Sequence, residues 1–140
     1  MRNLELALKA AGDPTRTRIL KLLEVRGLCV CQVQAVLRLA PSTVSKHLAI
    51  LKLAGLAEDR RDGKWVEYAL SGTPNHYASA VLALLHGPLD RDPVILADRR
   101  RLREVLAVPL DQLCSLPPPQ ALTSSRPGPR HFRRRQAQHA

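Results

Sequence analysis

The feature that most limits the folds open to this chain is a change of period at Gly55-Leu56. Before it, apolar residues recur at helical spacing. After it they alternate, and the alternation is interrupted by Asp62-Gly63, a pair suited to the positive φ angles of a two-residue hairpin turn. Upstream, Leu4, Leu6, Ala7, Leu8 and Ala11 predict a short first helix. Asp13-Pro14 opens a second with a capping carboxylate and a first-turn proline; Ile19, Leu20, Leu22 and Leu23 form its core stripe, and Gly27 ends it. A third helix over about 30–39 contributes Val33, Val36 and Leu37. Ala40-Pro41 breaks it, Ser42 is expected to cap a fourth helix, and Gly55 stops that helix after about Ala54. Strands are predicted over 57–61 and 64–70, with Trp65, Tyr68 and Leu70 giving the second its bulk.

Helix, helix, turn, helix and basic hairpin is the order of a winged helix-turn-helix, so the expected class is mainly α with a small β-hairpin. Two more helical stretches follow, about 74–86 (Ala78, Val81, Leu82, Leu85) and 93–108 (Val94, Ile95, Leu102, Val105, Leu106). A small domain does not need both stripes for its core, and some of that surface is expected in a dimer interface. The domain is drawn over 1–110 and a Pro/Arg-rich tail over 111–140. Within that tail, 117–140 holds Pro117-Pro118-Pro119 and Arg133-Arg134-Arg135 with little to bury, so no fixed structure is expected there. The chain has 140 residues and a formal net charge of +10, which favours a polyanionic partner. Five of its arginines and no acid lie in 117–140, where charge adds affinity for phosphate but no address. No apolar run is long enough to span a membrane and no leader pattern opens the chain, so a cytoplasmic protein is expected.

The fourth helix divides its labour by face. Val44, Leu48 and Leu51 recur at i, i+4 and i+7 and should pack, which leaves Thr43, Ser45, Lys46 and His47 toward the other side, with Ser42 near the helix start. Those side chains are candidates to reach base edges or phosphates from a helix in the major groove. Arg60, Arg61 and Lys64, at or near the hairpin tip, are candidates for phosphate or minor-groove contacts. Taken singly, each also reads as solvated surface.

Three cysteines, Cys29, Cys31 and Cys114, make poor material for a disulfide scaffold and suit reduced thiols or ligands. Cys29-Val30-Cys31 opens the third helix, one turn away from the DNA-reading one. Soft thiolates select soft ions such as trivalent arsenic or antimony, which favour three sulfurs. Residues i and i+2 of an ideal helix point about 200° apart, so the two share an ion only if the first turn unwinds or was never helical. Ligation there would distort the third helix, and about 1–3 kcal/mol of coupling changes DNA affinity about 5–150-fold. Two buried small hydrophobes, or thiols that oxidise to a disulfide, remain as alternatives. Cys114 is either the third sulfur, from its own or a partner subunit, or a residue without a role. No Gly-rich anion loop, HExxH or GxSxG pattern supports an enzyme.

Leu28-Cys29-Val30-Cys31, Ser45-Lys46-His47-Leu48, Leu51 through Gly55-Leu56, and Arg61-Asp62-Gly63-Lys64-Trp65-Val66-Glu67-Tyr68 resemble, in order and spacing, the ArsR/SmtB metalloregulators, most closely their arsenic-responsive branch. The resemblance covers about residues 3–86. It implies a homodimeric repressor on operator DNA, released by arsenite or antimonite as inducer, with Cys29 and Cys31 as ligands. The family's third thiol falls three residues after the second, where this chain has Gln34. Relatives that sense zinc use His and carboxylates of the fifth helix. His76, His86 and Asp90 raise that alternative, although the two histidines lie about 80° apart around a helix. Another thiophilic or divalent metal, or a thiol redox signal, are the other inducers to weigh.

Overall fold

A computed structural model describes residues 1–115. The order is α1 (Arg2–Ala11), α2 (Pro14–Leu23), β1 (Leu28–Cys29), α3 (Val30–Leu37), α4 (Pro41–Leu53), β2 (Ala57–Asp62), β3 (Trp65–Leu70), α5 (His76–Leu85), α6 (Pro93–Leu106) and α7 (Leu110–Ser115). The strands form one antiparallel sheet in the order β1-β3-β2. This is the winged helix-turn-helix expected, with differences that bear on the site.

The core is built from one stripe of each central helix: Ile19, Leu20 and Leu22 of α2, Val33 and Val36 of α3, and Val44, Leu48 and Leu51 of α4, closed by Leu28 and Leu56. Helix α6 lays Leu102 into the same cluster and packs on α2 and α3. Lys21, in the middle of the α2 stripe, is 1% exposed. Its Nζ donates to Glu24 Oε1 at 2.7 Å, Asp90 Oδ1 at 2.8 Å and the Leu85 carbonyl at 3.1 Å, so the buried ammonium is fully engaged. Arg18 grips the buried carboxylate of Asp98 through Nε and a terminal nitrogen, at 2.7 and 2.8 Å, and Arg101 adds a third donor at 2.8 Å. Arg99 reaches Glu24 and Asp90. Arg99 and Asp98 of α6 thus tie that helix to its neighbours, while Arg101 pairs within the helix.

Helix α4 begins at Pro41, not after a Ser42 cap. Ala40 is the extended N-cap, and Pro41 supplies a preset φ and lacks the N–H that would otherwise go unpartnered. Its end follows the chemistry of Gly55: with φ at 74°, Gly55 N–H reaches the Lys52 carbonyl and Leu56 N–H the Leu51 carbonyl, both at 3.0 Å, which is the Schellman closure. The hairpin turn lies one residue later than expected. Asp62 pairs with Trp65, leaving Gly63-Lys64 as the loop, with Gly63 at φ 58° and no positive φ at Lys64. A positive angle at the first loop residue alone is the II′ pattern, which needs glycine first and tolerates lysine second. Gly27 does not terminate α2, whose last helical residue is Leu23. A side chain there would run into the Glu67 carboxylate, so the position needs space.

Two elements lay outside the expected set. The two-residue strand β1 pairs Leu28 with Tyr68 and Cys29 with Glu67. Helix α7 straddles the boundary drawn at 110, beginning at Leu110 and running to Ser115. The remainder of the tail falls outside the described residues. Among the described residues no helix is long and apolar enough to cross a membrane.

Candidate functional site

Helix α4 turns Val44, Leu48 and Leu51 into the core and leaves Ser42, Ser45 and Lys46 exposed, as its sequence pattern requires. Thr43 and His47, one turn apart, are half-buried. His47 does not project freely: its Nδ1 lies 3.3 Å from a terminal nitrogen of Arg16 on α2. Two large apolar residues of α4, Ile50 and Leu53, are exposed as well. On the wing, Arg60, Arg61 and Lys64 are exposed. Arg60 pairs with Glu67 across the hairpin at 2.9 Å, and Lys64 sits 5.0 Å from the Trp65 ring centre while its ammonium meets Asp111 of α7 at 2.9 Å. Sequence reasoning missed this last contact, because nothing local marks a six-residue helix at the edge of a proline-rich tail.

The cysteines are arranged differently from the expected Cys29/Cys31 pair. Cys29 is the extended N-cap of α3, outside the helix, and its N–H donates to Gln32 Oε1 at 2.9 Å. It is a buried, free thiol facing the sheet register of Glu67. Burial pushes its pKa up, and the carboxylates of Glu67 and Asp62 add to that against a smaller opposing effect of Arg26. A thiol held protonated in this way is a slow nucleophile and a slow ligand. Cys31, the second residue of α3, is joined to Cys114 of α7 as a disulfide, with Cα atoms 5.4 Å apart and a sequence separation of 83. Two of the three candidate sulfurs therefore meet, through α7, and the third stands apart.

The residues raised for zinc do not converge. His86 Nδ1 lies 3.5 Å from Glu24, Asp90 pairs with Lys21, and His76 packs edge-on to Tyr77. No group of three or more His, Cys, Asp or Glu side chains among the described residues is gathered closely enough to hold a metal ion.

Comparison with known proteins agrees with this geometry. Residues 13–59, from the α2 cap to the first wing strand, match the family described as "Bacterial regulatory protein, arsR family". The arsenic resistance transcriptional regulator ArsR1 of Pseudomonas putida is 36% identical over 102 residues, spanning 71% of this chain and 77% of its own. The arsenical resistance operon repressor of Escherichia coli is 45% identical over 64 residues, spanning 45% of this chain and 55% of its own. Among solved structures, HlyU from Vibrio cholerae superposes with a TM-score of 0.53 at 34% identity, over 61% of this chain and 89% of that one. These are transcriptional regulators and not enzymes. By its helix-turn-helix, its wing and these relatives, the chain belongs to the ArsR family and is a transcriptional repressor of that family.

Proposed function

We propose that the chain acts as a homodimer in the cytoplasm and leaves its operator when trivalent arsenic or antimony is captured by its thiols. Ser42, Thr43, Ser45, Lys46 and His47 of α4 would contact the major groove, and Arg60, Arg61 and Lys64 of the wing the flanking phosphates. Leu8 of α1 and Leu84 of α5, exposed on two helices that pack together, offer an apolar face for the second subunit. The observation that carries the sensing half of this reading is the meeting of Cys31 and Cys114. Cys31 and Cys114 would supply two of the sulfurs that such soft ions prefer, and Cys29, two residues from Cys31, is the candidate for the third. Ligation needs the reduced form, in which a cellular dithiol gives two electrons and two protons to the Cys31–Cys114 bond and leaves as its own disulfide; a three-sulfur site further needs Cys29 to turn out of its sheet register.

The same pair links the thiols to DNA contact. It holds α7 against the first turn of α3, and α7 in turn sets Asp111 on Lys64. Whatever bridges the two sulfurs therefore biases both the support helix and a wing cation. The disulfide favours a second reading, a thiol redox signal: the two thiols would give two electrons and two protons to hydrogen peroxide, which leaves as two waters.

One titration separates these. A labelled DNA fragment from upstream of the coding sequence is shifted by reduced protein, then challenged with arsenite, antimonite, zinc, cadmium and peroxide. The metalloid reading expects release by arsenite or antimonite, lost in Cys31→Ser and Cys114→Ser without loss of basal binding. Release by peroxide alone, reversed by dithiothreitol, would move the assignment to redox. Release of both serine variants at the wild-type arsenite concentration would remove the pair as sensor.

A further inference from the structure

Arg16, in the first turn of α2, engages each of its three guanidinium nitrogens with a different partner, one of them on α4. Nε donates to the Ala10 carbonyl at 2.7 Å and one terminal nitrogen to the Lys9 carbonyl at 3.2 Å, both in the last turn of α1. The other terminal nitrogen stands 3.3 Å from His47 Nδ1. The first two bonds place the guanidinium rigidly, because Arg16 N–H is itself accepted by the Asp13 cap at 3.0 Å, which fixes the backbone from which the side chain departs.

A guanidinium has five N–H donors, no acceptor, and does not give up its proton in a protein. A ring nitrogen that shares a hydrogen bond with it can only accept, and in a neutral His47 ring that arrangement puts the proton on Nε2. Resting on the proposal that α4 contacts DNA, we infer that Arg16 is a positioning residue for DNA reading: it fixes both the orientation and the tautomer of His47, so that α4 presents a donor, Nε2–H, to an acceptor on the duplex. Such a donor suits guanine N7 or O6, adenine N7, thymine O4 or a phosphate oxygen, and meets the exocyclic amines of adenine and cytosine unfavourably. Arg16 would thus shape DNA binding from a helix that need not touch DNA.

The test is a double-mutant cycle on the full-length protein, with operator and random duplexes as probes. His47→Ala and Arg16→Ala should each weaken operator binding about 3–10-fold, the worth of one hydrogen bond, and the double variant should be no weaker than His47→Ala alone. His47→Gln places an amide donor near the Nε2 position without a tautomer to select, so Arg16→Ala in that background should cost less than twofold. Loss confined to the operator assigns the acceptor to a base edge, and equal loss on random DNA assigns it to phosphate. Fully additive losses overturn the inference. Because Arg16 also ties α1 to α2, its loss can disturb folding. Ring-nitrogen NMR of the unmutated protein is therefore an independent measurement: in DNA-free protein His47 Nε2 should carry the proton and Nδ1 should show the shift of a hydrogen-bond acceptor. A proton on Nδ1 refutes the inference even if α4 reads DNA, whereas failure of every α4 variant to affect binding refutes the underlying reading instead.

Discussion

Reducing the link between Cys31 and Cys114 should cost the protein stability, by an amount the chain separation sets. The bond closes a loop with 83 residues of sequence separation. The loop-entropy relation gives about 4.5 kcal/mol for a cross-link of that span, through a restricted unfolded ensemble, while measured values fall more often at about 2–4 kcal/mol. The native contribution of α7 should not change this much, since it has only six residues and none is buried. With a urea slope of about 1–3 kcal/mol/M, a loss near 3 kcal/mol lowers the unfolding midpoint by about 1–3 M. The assay is urea unfolding followed by circular dichroism with and without dithiothreitol. Cys31→Ser and Cys114→Ser should behave like the reduced wild type under both conditions, and Cys29→Ser should keep the full difference. Equal midpoints for oxidised and reduced wild type would refute the reasoning, as would a redox-dependent midpoint that survives in Cys114→Ser.

Replacing Asp98 by Ala should destabilise by about 2–3 kcal/mol, below the usual cost of breaking a buried pair because Arg18 and Arg101 keep some access to water; a change under about 0.5 kcal/mol in thermal unfolding would contradict this. The Asp90 carboxyl is held below its ordinary value of 3.8, first by the hydrogen bond from Lys21 and also by the charges of Lys21 and Arg99. A depressed carboxylate stabilises the fold fully above its unfolded pKa and loses that contribution as pH falls through the folded value. Asp90→Asn should therefore flatten the loss of stability below about pH 4, and a curve parallel to wild type there would argue against it. In reduced, folded protein at neutral pH, iodoacetamide should modify Cys29 more slowly than Cys31 or Cys114, as peptide mapping can read, and faster labelling of Cys29 would contradict this.

Much of the fold was legible because its signals are local. The α4 stripe, the Asp13-Pro14 start and the Gly55 stop each depend on residues within a turn or two, and each element forms. Where two local signals compete the register shifts: Asp62-Gly63 and Gly63-Lys64 can both make a tight turn, and pairing Asp62 with Trp65 decides between them. What was not legible is long-range. Nothing near Leu28-Cys29 announces a strand, because its partner is forty residues away at Tyr68 and Glu67. Lys21 lies on a core stripe that a hydropathy reading skips, and it can be buried only because Asp90 arrives from beyond α5. Within the candidate site, pattern alone gave the polar face of α4 and the wing cations. It could not show that His47 leans on Arg16, or that Cys31 meets Cys114 and not Cys29.

The positive charge offered to DNA is, for the same reason, not a single pool. Lys52, Arg60 and Lys64 each pair with a carboxylate, of Asp59, Glu67 and Asp111, at 2.9 Å. Lys46 and Arg61 form no ion pair among the described residues. Exposed pairs of this kind are worth about 0–1 kcal/mol, so a phosphate can displace the carboxylate, but the displaced anion then stays close to the DNA and repels it. For Lys52 and Arg60 that anion sits on the wing itself and cannot be removed without unfolding the hairpin. For Lys64 it sits on α7, a separate helix whose position depends on the Cys31–Cys114 link. On the proposed reading the state of the thiols therefore decides whether Lys64 meets the duplex with or without a carboxylate beside it. A difference of about 1 kcal/mol per subunit there, roughly fivefold in affinity, would count twice in a dimer and fall within the usual range of allosteric coupling.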